Sequence, residues 1–376
     1  MIYKKGGKVN SKIFTQIDQE NFALLSGDYN PIHIDPIFAR RTLFGSPILH
    51  GIHGLLYSID LWLSSYQSEV TITKIKVKFY KPIKLNQQVI FFSKSSNLNQ
   101  VELTLTCDGK LMTRVQITYL AGRNGEGSFF NELIPPKTNP LDPSMEEISL
   151  IEGSLELYLP KDKAIDTFPH LFHYLDLSQI SEILATTRLV GMVCPGLHSI
   201  YSELFLEENR VNTSKNLDFK VISFDQRFGM IDMALEGPTL TGKIISFRRP
   251  KKKAQISMEE AGKFQLPKEF INQKAIIIGG SRGLGEVVAK LLSAGGGGVR
   301  IGFNQGKQDA VNICNEIKAA GEDAECFQFN VLEQPQPEKD ILGTFIPTHL
   351  YYFATPLIPQ TQNQSFNQEA YEELCN

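Results

Sequence analysis

The stretch SGDYNPIH, residues 26–33, sets a carboxylate (Asp28) and an imidazole (His33) five positions apart, with Asn30-Pro31 between them. Pro31 disfavours helical backbone at Asn30, so the segment is a turn. Helical spacing brings together residues three or four apart, not five. A turn held by proline can aim both side chains at one point. Asn30 is suited to holding it through a side-chain bond to nearby backbone.

The elements around this turn give the fold. Gln16–Ser26 is predicted as a helix, capped by Asp18 and stopped by Gly27. Asp35-Pro36 caps and opens a short helix over IFARRTLF, and GSPILHG is a loop. The next helix, IHGLLYSIDLWLSSY, is too apolar to lie on a surface. Four strand-like runs follow: TITKIKVKFYK, QQVIFFSKSS, QVELTLTC and KLMTRVQITYL. In the last, Leu111, Thr113, Val115, Ile117 and Tyr119 share one face. An apolar helix followed by an antiparallel sheet that wraps it is a hot-dog arrangement.

A chain of 376 residues exceeds one typical core and implies two or three domains. Its net charge of −3 gives no electrostatic footprint for nucleic acid or an anionic membrane. The one basic run, RRPKKK (Arg248 to Lys253), reads as a solvated linker. Five cysteines, Cys107, Cys194, Cys314, Cys326 and Cys375, lack paired spacing, which argues against a disulfide framework or a zinc site. The first ten residues contain no apolar core of a secretion signal. No apolar run is long enough to span a bilayer. These features point to the cytoplasm.

Gly122 to Pro143 is polar and rich in Pro and Gly, a second linker signal. Beyond it the element order recurs. LSQISEILATTRLVG (Leu177 to Gly191) is predicted as a helix capped by Ser178, and HSIYSELFLEE, LDFKVISFD, FGMIDMALEG and TLTGKIISFRR read as strands. This is a diverged second hot-dog unit, inferred from element order. After a linker ending near Ile271, KAIIIGGSRGLGEVVAKLLSAG gives a buried strand, a glycine turn and a helix. VRIGFN, VNICNEIKAAG, AECFQFNV and HLYYFATP continue the β/α alternation of a parallel sheet. The expected class is α+β: two hot-dog units over 1–121 and 145–250, followed by a partial α/β Rossmann-like domain over 271–376.

LLSGDYNPIHIDPIFARRTLFGSPILHGIHG resembles the signature of MaoC-like dehydratases and (R)-specific enoyl-CoA hydratases, and the likeness continues into FYKPIKLNQQVIF. In that family a D-x-N-P-x-H segment precedes the central helix. The resemblance implies that Asp28 and His33 are the acid–base pair, that Asn30 holds their turn, and that Gly51 supplies a backbone N–H for the enolate oxygen. Hydration of an enoyl thioester needs a proton taken from water and one delivered to the α-carbon. An imidazole of pKa about 6.5 and a carboxylate of about 3.9 can share these transfers. Which of the two removes the first proton stays open at this stage. Against the catalytic reading, Asp28 could cap a helix and His33 could be a satisfied turn histidine; the joint motif favours catalysis. His50 can be read either way, whereas His53, His170, His173, His198 and His349 read as structural, and no metal is expected. The second unit has no D-x-N-P-x-H. It resembles the non-catalytic half of a double hot dog, which leaves room for a long acyl chain.

IIIGGSRGLGEVVAKLL resembles the nucleotide turn of short-chain dehydrogenases/reductases, with Gly279, Gly283 and Gly285 on its glycine pattern. Cofactor contacts are expected from these and from Ser281, Arg282 and Asn304. Cations and no carboxylate after the second strand favour NADP over NAD. Asn330-Val331 and FATP (Phe353 to Pro356) depart from the family pattern. No Tyr-x-x-x-Lys follows: Tyr371 meets Cys375 at the lysine position, and Tyr80 to Lys84 is a chance match. The break at QEAYEELCN reads as a fragment of a longer fusion.

The leading expectation is an enoyl-thioester hydratase or dehydratase acting on acyl-CoA or acyl carrier protein, without cofactor and able to form a homodimer. The alternatives are a bifunctional dehydratase–ketoreductase with an incomplete reductase half, and a non-catalytic acyl-thioester binding module.

Overall fold

The computed structural model describes residues 10–97, 99–122, 130–209, 215–251, 255–266, 268–332 and 344–354. The chain divides into two compact units, Met1–Lys252 and Lys253–Asn376.

In the first unit, β1 (Asn10–Ile13) leads into α1 (Gln16–Ser26). Thr15, not Asp18, is the N-cap: Asp18 stands three residues inside and accepts the Thr15 N–H at 2.7 Å, closing a capping box. Gly27, at φ 75°, ends the helix. Two single-turn helices follow, α2 (Pro31–Ile34) and α3 (Pro36–Ala39), capped by the Asn30 and Asp35 side chains. α4 (Gly51–Tyr66) is buried on nearly every side. It packs against β2 (Val70–Phe79), β3 (Gln88–Asn97), β4 (Gln100–Cys107) and β5 (Lys110–Ala121). The face of β5 singled out by alternation is the one that sinks Val115, Ile117 and Tyr119 into the core with Ile59 and Leu63.

The order then recurs: α5 (Met145–Ile148), β6 (Glu152–Glu156), α6 (Lys161–Thr167), α7 (Pro169–Tyr174), α8 (Leu177–Arg188), β7 (Ser199–Glu208), β8 (Asn216–Asp225), β9 (Met230–Glu236) and β10 (Leu240–Arg248). α8 is capped by Asp176, which accepts from Ser178 N at 2.8 Å, so Ser178 is inside the helix. The helix ends at Arg188 and widens into a π-helical turn, Leu189–Val193, in place of the regular helix expected to Gly191.

All ten strands form one sheet in the order β1-β3-β4-β5-β2-β7-β10-β9-β8-β6. With β6 matched to β1 and β7–β10 to β2–β5, the order reads alike from either edge. Antiparallel β2 and β7 make the seam. Across it the Lys78–Glu203 ion pair lies at the surface, where solvent screens it and it adds little. Each buried Leu or Ile of the shared core contributes about 1.5–3 kcal/mol, and one cluster unites Ile59 and Ile75 with Ile183, Leu204 and Ile244. Apolar packing therefore joins the halves.

The supposed solvated run at Arg248 is overturned in its first two residues. Arg249 is 5% exposed and donates to the carbonyls of Leu197 (2.9 Å) and Ser199 (3.2 Å); Arg248 reaches Asp142 at 3.1 Å. The carbonyls at the start of β7 turn inward, and Arg249 satisfies them.

In the second unit, α9 (Met258–Gly262) lies within the expected linker, burying Met258 and Ala261. β11 (Lys274–Ile278), α10 (Gly283–Ala294), β12 (Gly298–Phe303), α11 (Lys307–Ala319), β13 (Ala324–Gln328) and β14 (His349–Tyr352) alternate. Their strands form a parallel sheet in the order β13-β12-β11-β14. Tyr371 and Cys375 lie outside the described residues.

Candidate active site

The turn after α1 places Asp28 and Asn30 in the interior, at 1% and 0% exposure. Proline opens α2 at its first position, where its missing N–H costs nothing. His33, two residues on, is thereby turned back toward Asp28. An oxygen of Asp28 and a ring nitrogen each of His33 and His50 lie within 4.8 Å of one another. Asp28, His33 and Gly51 line one cavity of about 130 Å³.

His33 Nδ1 is 2.8 Å from the Ile48 carbonyl oxygen. A carbonyl only accepts, so Nδ1 carries the proton and Nε2 keeps its lone pair. Burial is the main cause that lowers the His33 pKa to about 4. Burial likewise pushes Asp28 up to about 6, against hydrogen bonds from Thr187 and the Asn30 N–H that pull it down. At neutral pH the site thus holds a neutral imidazole and a carboxylate whose charge is only moderately favoured. Both are proton acceptors, which suits them to grip one water.

Asn30 does more than brace its own turn. Its Oδ1 accepts from Ile32 N at 3.2 Å, as a local turn requires. Its amide nitrogen donates across to the carbonyls of Gly191 (2.9 Å) and Gly196 (3.0 Å) in the second half. Gly51 is the first residue of α4, so its N–H has no acceptor within the helix and the helix dipole adds positive potential there. A Cβ at 51 would press on the Phe79 ring at 2.9 Å, which explains the glycine.

His50 is fully buried and stacks on His33 at 3.8 Å. Its Nε2 is 3.1 Å from the Asp28 backbone oxygen, and its Nδ1 is 2.8 Å from Gln19 Oε1. His50 therefore braces both members of the pair. His53 bonds Gln19 at 3.1 Å and stacks on Phe22 at 4.5 Å, on the far side of that amide.

Residues of the second half also enter the site without any signal in the motif, Thr187, Gly191 and Tyr201 among them. Thr187 donates to Asp28 Oδ2 at 2.7 Å. Gly191 lies so close that a Cβ there would overlap the Asp28 carboxylate. Tyr201 lines the cavity edge-to-face with Phe79, at 5.3 Å, and burial raises its phenol pKa. A glycine inside the apolar helical run RLVGMV was the one available cue, as such a glycine marks close approach.

In the second unit, Gly279 (φ 77°) and Gly283 (φ 60°) take left-handed backbone, and a Cβ at Gly285 would meet the Gly279 carbonyl. α10 starts at Gly283 with Arg282 as its N-cap residue, and Ser281 is buried in the turn. This is a strand–turn–helix cradle in which backbone approaches closely. Asn304, just past β12, bonds Asn330 at 3.2 Å.

The family model described as "MaoC like domain" matches residues 3–109. The peroxisomal multifunctional enzyme type 2 of Mus musculus is 42% identical over 71 residues, 18% of this chain and 10% of that protein. The (R)-specific enoyl-CoA hydratase of Aeromonas caviae is 50% identical over 42 residues, 11% of this chain and 31% of that protein. A solved structure described as a MaoC-like dehydratase aligns with a TM-score of 0.44 at 12% identity, over 65% of this chain and 97% of that one. The matched stretches thus span well under two thirds of these curated relatives. The family match takes in the helix–turn–helix segment that carries Asp28 and His33, so residues 3–109 are similar to a MaoC-like domain.

Proposed function

We propose that this chain is an (R)-specific enoyl-thioester hydratase, or in reverse a 3-hydroxyacyl-thioester dehydratase. The observation that carries the reading is the convergence of the Asp28 carboxylate and the His33 imidazole on a cavity that Gly51 also lines. A water held between Asp28 and His33 Nε2 donates to both. As its oxygen bonds to the β-carbon, its proton leaves to the pair and is returned to the α-carbon, so the pair is unchanged by a turnover. The thioester oxygen gains charge as the enolate forms, and the Gly51 N–H at the start of α4 is the donor for it. Enoyl-CoA is named for one relative, the Aeromonas caviae hydratase, which supports an acyl-CoA substrate here, and an acyl carrier protein presents the same thioester. The second half serves as a non-catalytic partner in an internal pseudo-dimer, and two chains can form a homodimer.

The test is crotonyl-CoA hydration, followed by loss of enoyl absorbance, with the product's configuration determined. Formation of the (R)-3-hydroxy product supports the reading; no turnover under any condition rejects it.

The glycine cradle favours a second reading, a fusion with a reductase-like nucleotide domain. Its fit to a dinucleotide is partial. Gly279, Ser281, Gly283 and Gly285 would hold a pyrophosphate at the start of α10, with Arg282 and Asn304 on the side of a 2′-phosphate, so NADP is the cofactor expected to supply hydride there. The hydratase half uses none. Unpaired cysteine spacing suits the cytoplasm. No helix of the described residues is long and apolar enough to cross a membrane.

A further inference from the structure

We propose that Thr187 is a positioning residue of the active site: its hydroxyl, supplied by the half of the chain that lacks an acid–base pair, sets the orientation and charge state of the Asp28 carboxylate. The proposal rests on the acid–base reading of Asp28 given above.

A threonine within a helix ordinarily turns its hydroxyl back onto a carbonyl of the preceding turn. Thr186 does so, donating to the Ile183 carbonyl at 2.7 Å, and Ser181 does the same to Ser178. Thr187, next in α8, breaks the pattern. Its Oγ1 donates at 2.7 Å to Asp28 Oδ2, with both residues buried. The other carboxylate oxygen, Oδ1, accepts the Asn30 N–H at 3.2 Å. The two bonds grip the carboxylate from two directions, one local and one from the other half.

The backbone around Thr187 is shaped to the same end. Gly191 is four residues further on, which puts it on the same helical face. A side chain at 191 would occupy the space of the Asp28 carboxylate. At this point α8 gives way to the π-helical turn Leu189–Val193; such turns recur at functional sites. The widened turn releases the Gly191 carbonyl, which accepts from Asn30 at 2.9 Å. One stretch, Thr187 to Gly191, therefore serves as donor, floor and anchor for the catalytic turn.

The other titratable groups around Asp28 do not duplicate this contact. His50 Nε2 is 3.9 Å from Oδ2, beyond hydrogen-bond length, and directs its bond to the Asp28 backbone oxygen. His33 stacks on His50 and bonds Ile48. Arg188, beside Thr187 on α8, approaches Gly27 with its aliphatic stem and donates its guanidinium to the Glu156 carbonyl. Arg249 donates to backbone carbonyls before β7. Thr187 is the one hydroxyl on the carboxylate among the described residues. A donor to the charged form favours that form, so its loss drives Asp28 toward protonation.

The experiment uses the full chain as Thr187→Val, which keeps the shape and removes the hydroxyl, with Thr187→Ala in parallel and Thr187→Ser as rescue. Two readouts are taken: the pH dependence of kcat/KM for crotonyl-CoA, and the titration of the Asp28 carboxyl by 13C NMR, assigned with Asp28→Asn. Val and Ala should move the acid limb and the carboxyl midpoint upward together by about one pH unit, and Ser should restore both. An unchanged midpoint in Val and Ala overturns the proposal. So does a loss of rate without a shift that Ser fails to rescue, the signature of a merely structural residue. If the wild type does not hydrate crotonyl-CoA, the proposed function fails, while the carboxyl titration still decides the role of Thr187.

Discussion

Thr187 and Asp28 stand 159 residues apart in the chain and share a buried 2.7 Å hydrogen bond. The site is therefore assembled from both halves of the ten-stranded sheet. The first half holds Asp28 and His33, the proposed acid–base pair, and the second supplies a hydroxyl to the Asp28 carboxylate.

The acid–base pair is tested first. Asp28→Asn and His33→Ala should each lower kcat/KM for crotonyl-CoA by about 100- to 10,000-fold, with circular dichroism unchanged. A rate within a few-fold of wild type in either variant would remove that residue from the mechanism.

Asp28 should carry a stability cost of opposite sign to its catalytic value. Its folded pKa, about 6, lies above the ordinary value of 3.8 because the carboxylate is buried. The folded state therefore holds its proton more tightly. The favourable contribution is complete below pH 3.8 and is lost as pH rises through about 6. The displacement corresponds to on the order of 2–3 kcal/mol. Asp28→Asn should thus melt higher than wild type at pH 8, and the gain should vanish near pH 4. An Asp28→Asn protein less stable than wild type at pH 8 would show that hydrogen bonds to the carboxylate outweigh its burial.

Gly191→Ala should be far more harmful than an exposed helical Gly→Ala change, because the new methyl and the Asp28 carboxylate claim the same volume. Overpacking of this kind costs about 1–3 kcal/mol, and displacement of the carboxylate should abolish most hydration. Wild-type kcat/KM in a folded Gly191→Ala protein would mean that Asp28 can move without consequence.

For the second unit, calorimetry should show weak binding that prefers NADPH to NADH, and acetoacetyl-CoA should not be reduced. Equal or better binding of NADH would refute the roles of Arg282 and Asn304. Measurable ketoreduction would show that a proton donor other than a Tyr-x-x-x-Lys pair serves this chain.

Much of this protein was legible in its sequence where the determinants are local. Asn30-Pro31 dictates a turn, and the turn dictates that Asp28 and His33 face one cavity. Alternation at Thr113, Val115, Ile117 and Tyr119 marked the core face of β5, because side chains along a strand take opposite sides. The glycines at 279, 283 and 285 announced a strand–turn–helix cradle. Errors of placement came where neighbouring residues compete for one role. Asp18 and Thr15 could both cap α1, and Ser178 and Asp176 could both cap α8; the local bonds fall to Thr15 and Asp176.

Only the tertiary structure decided what completes the site. Thr187 is an ordinary helical threonine in the sequence, as is Thr186, and nothing in their spacing says which one serves Asp28. Arg249 reads as part of a basic surface run until the inward carbonyls of Leu197 and Ser199 are seen. These roles come from contacts across 50 to more than 150 positions. Local periodicity and turn chemistry carry no information on such contacts, because they are set by tertiary packing: β10 against β7 for Arg249, and the meeting of the two halves for Thr187.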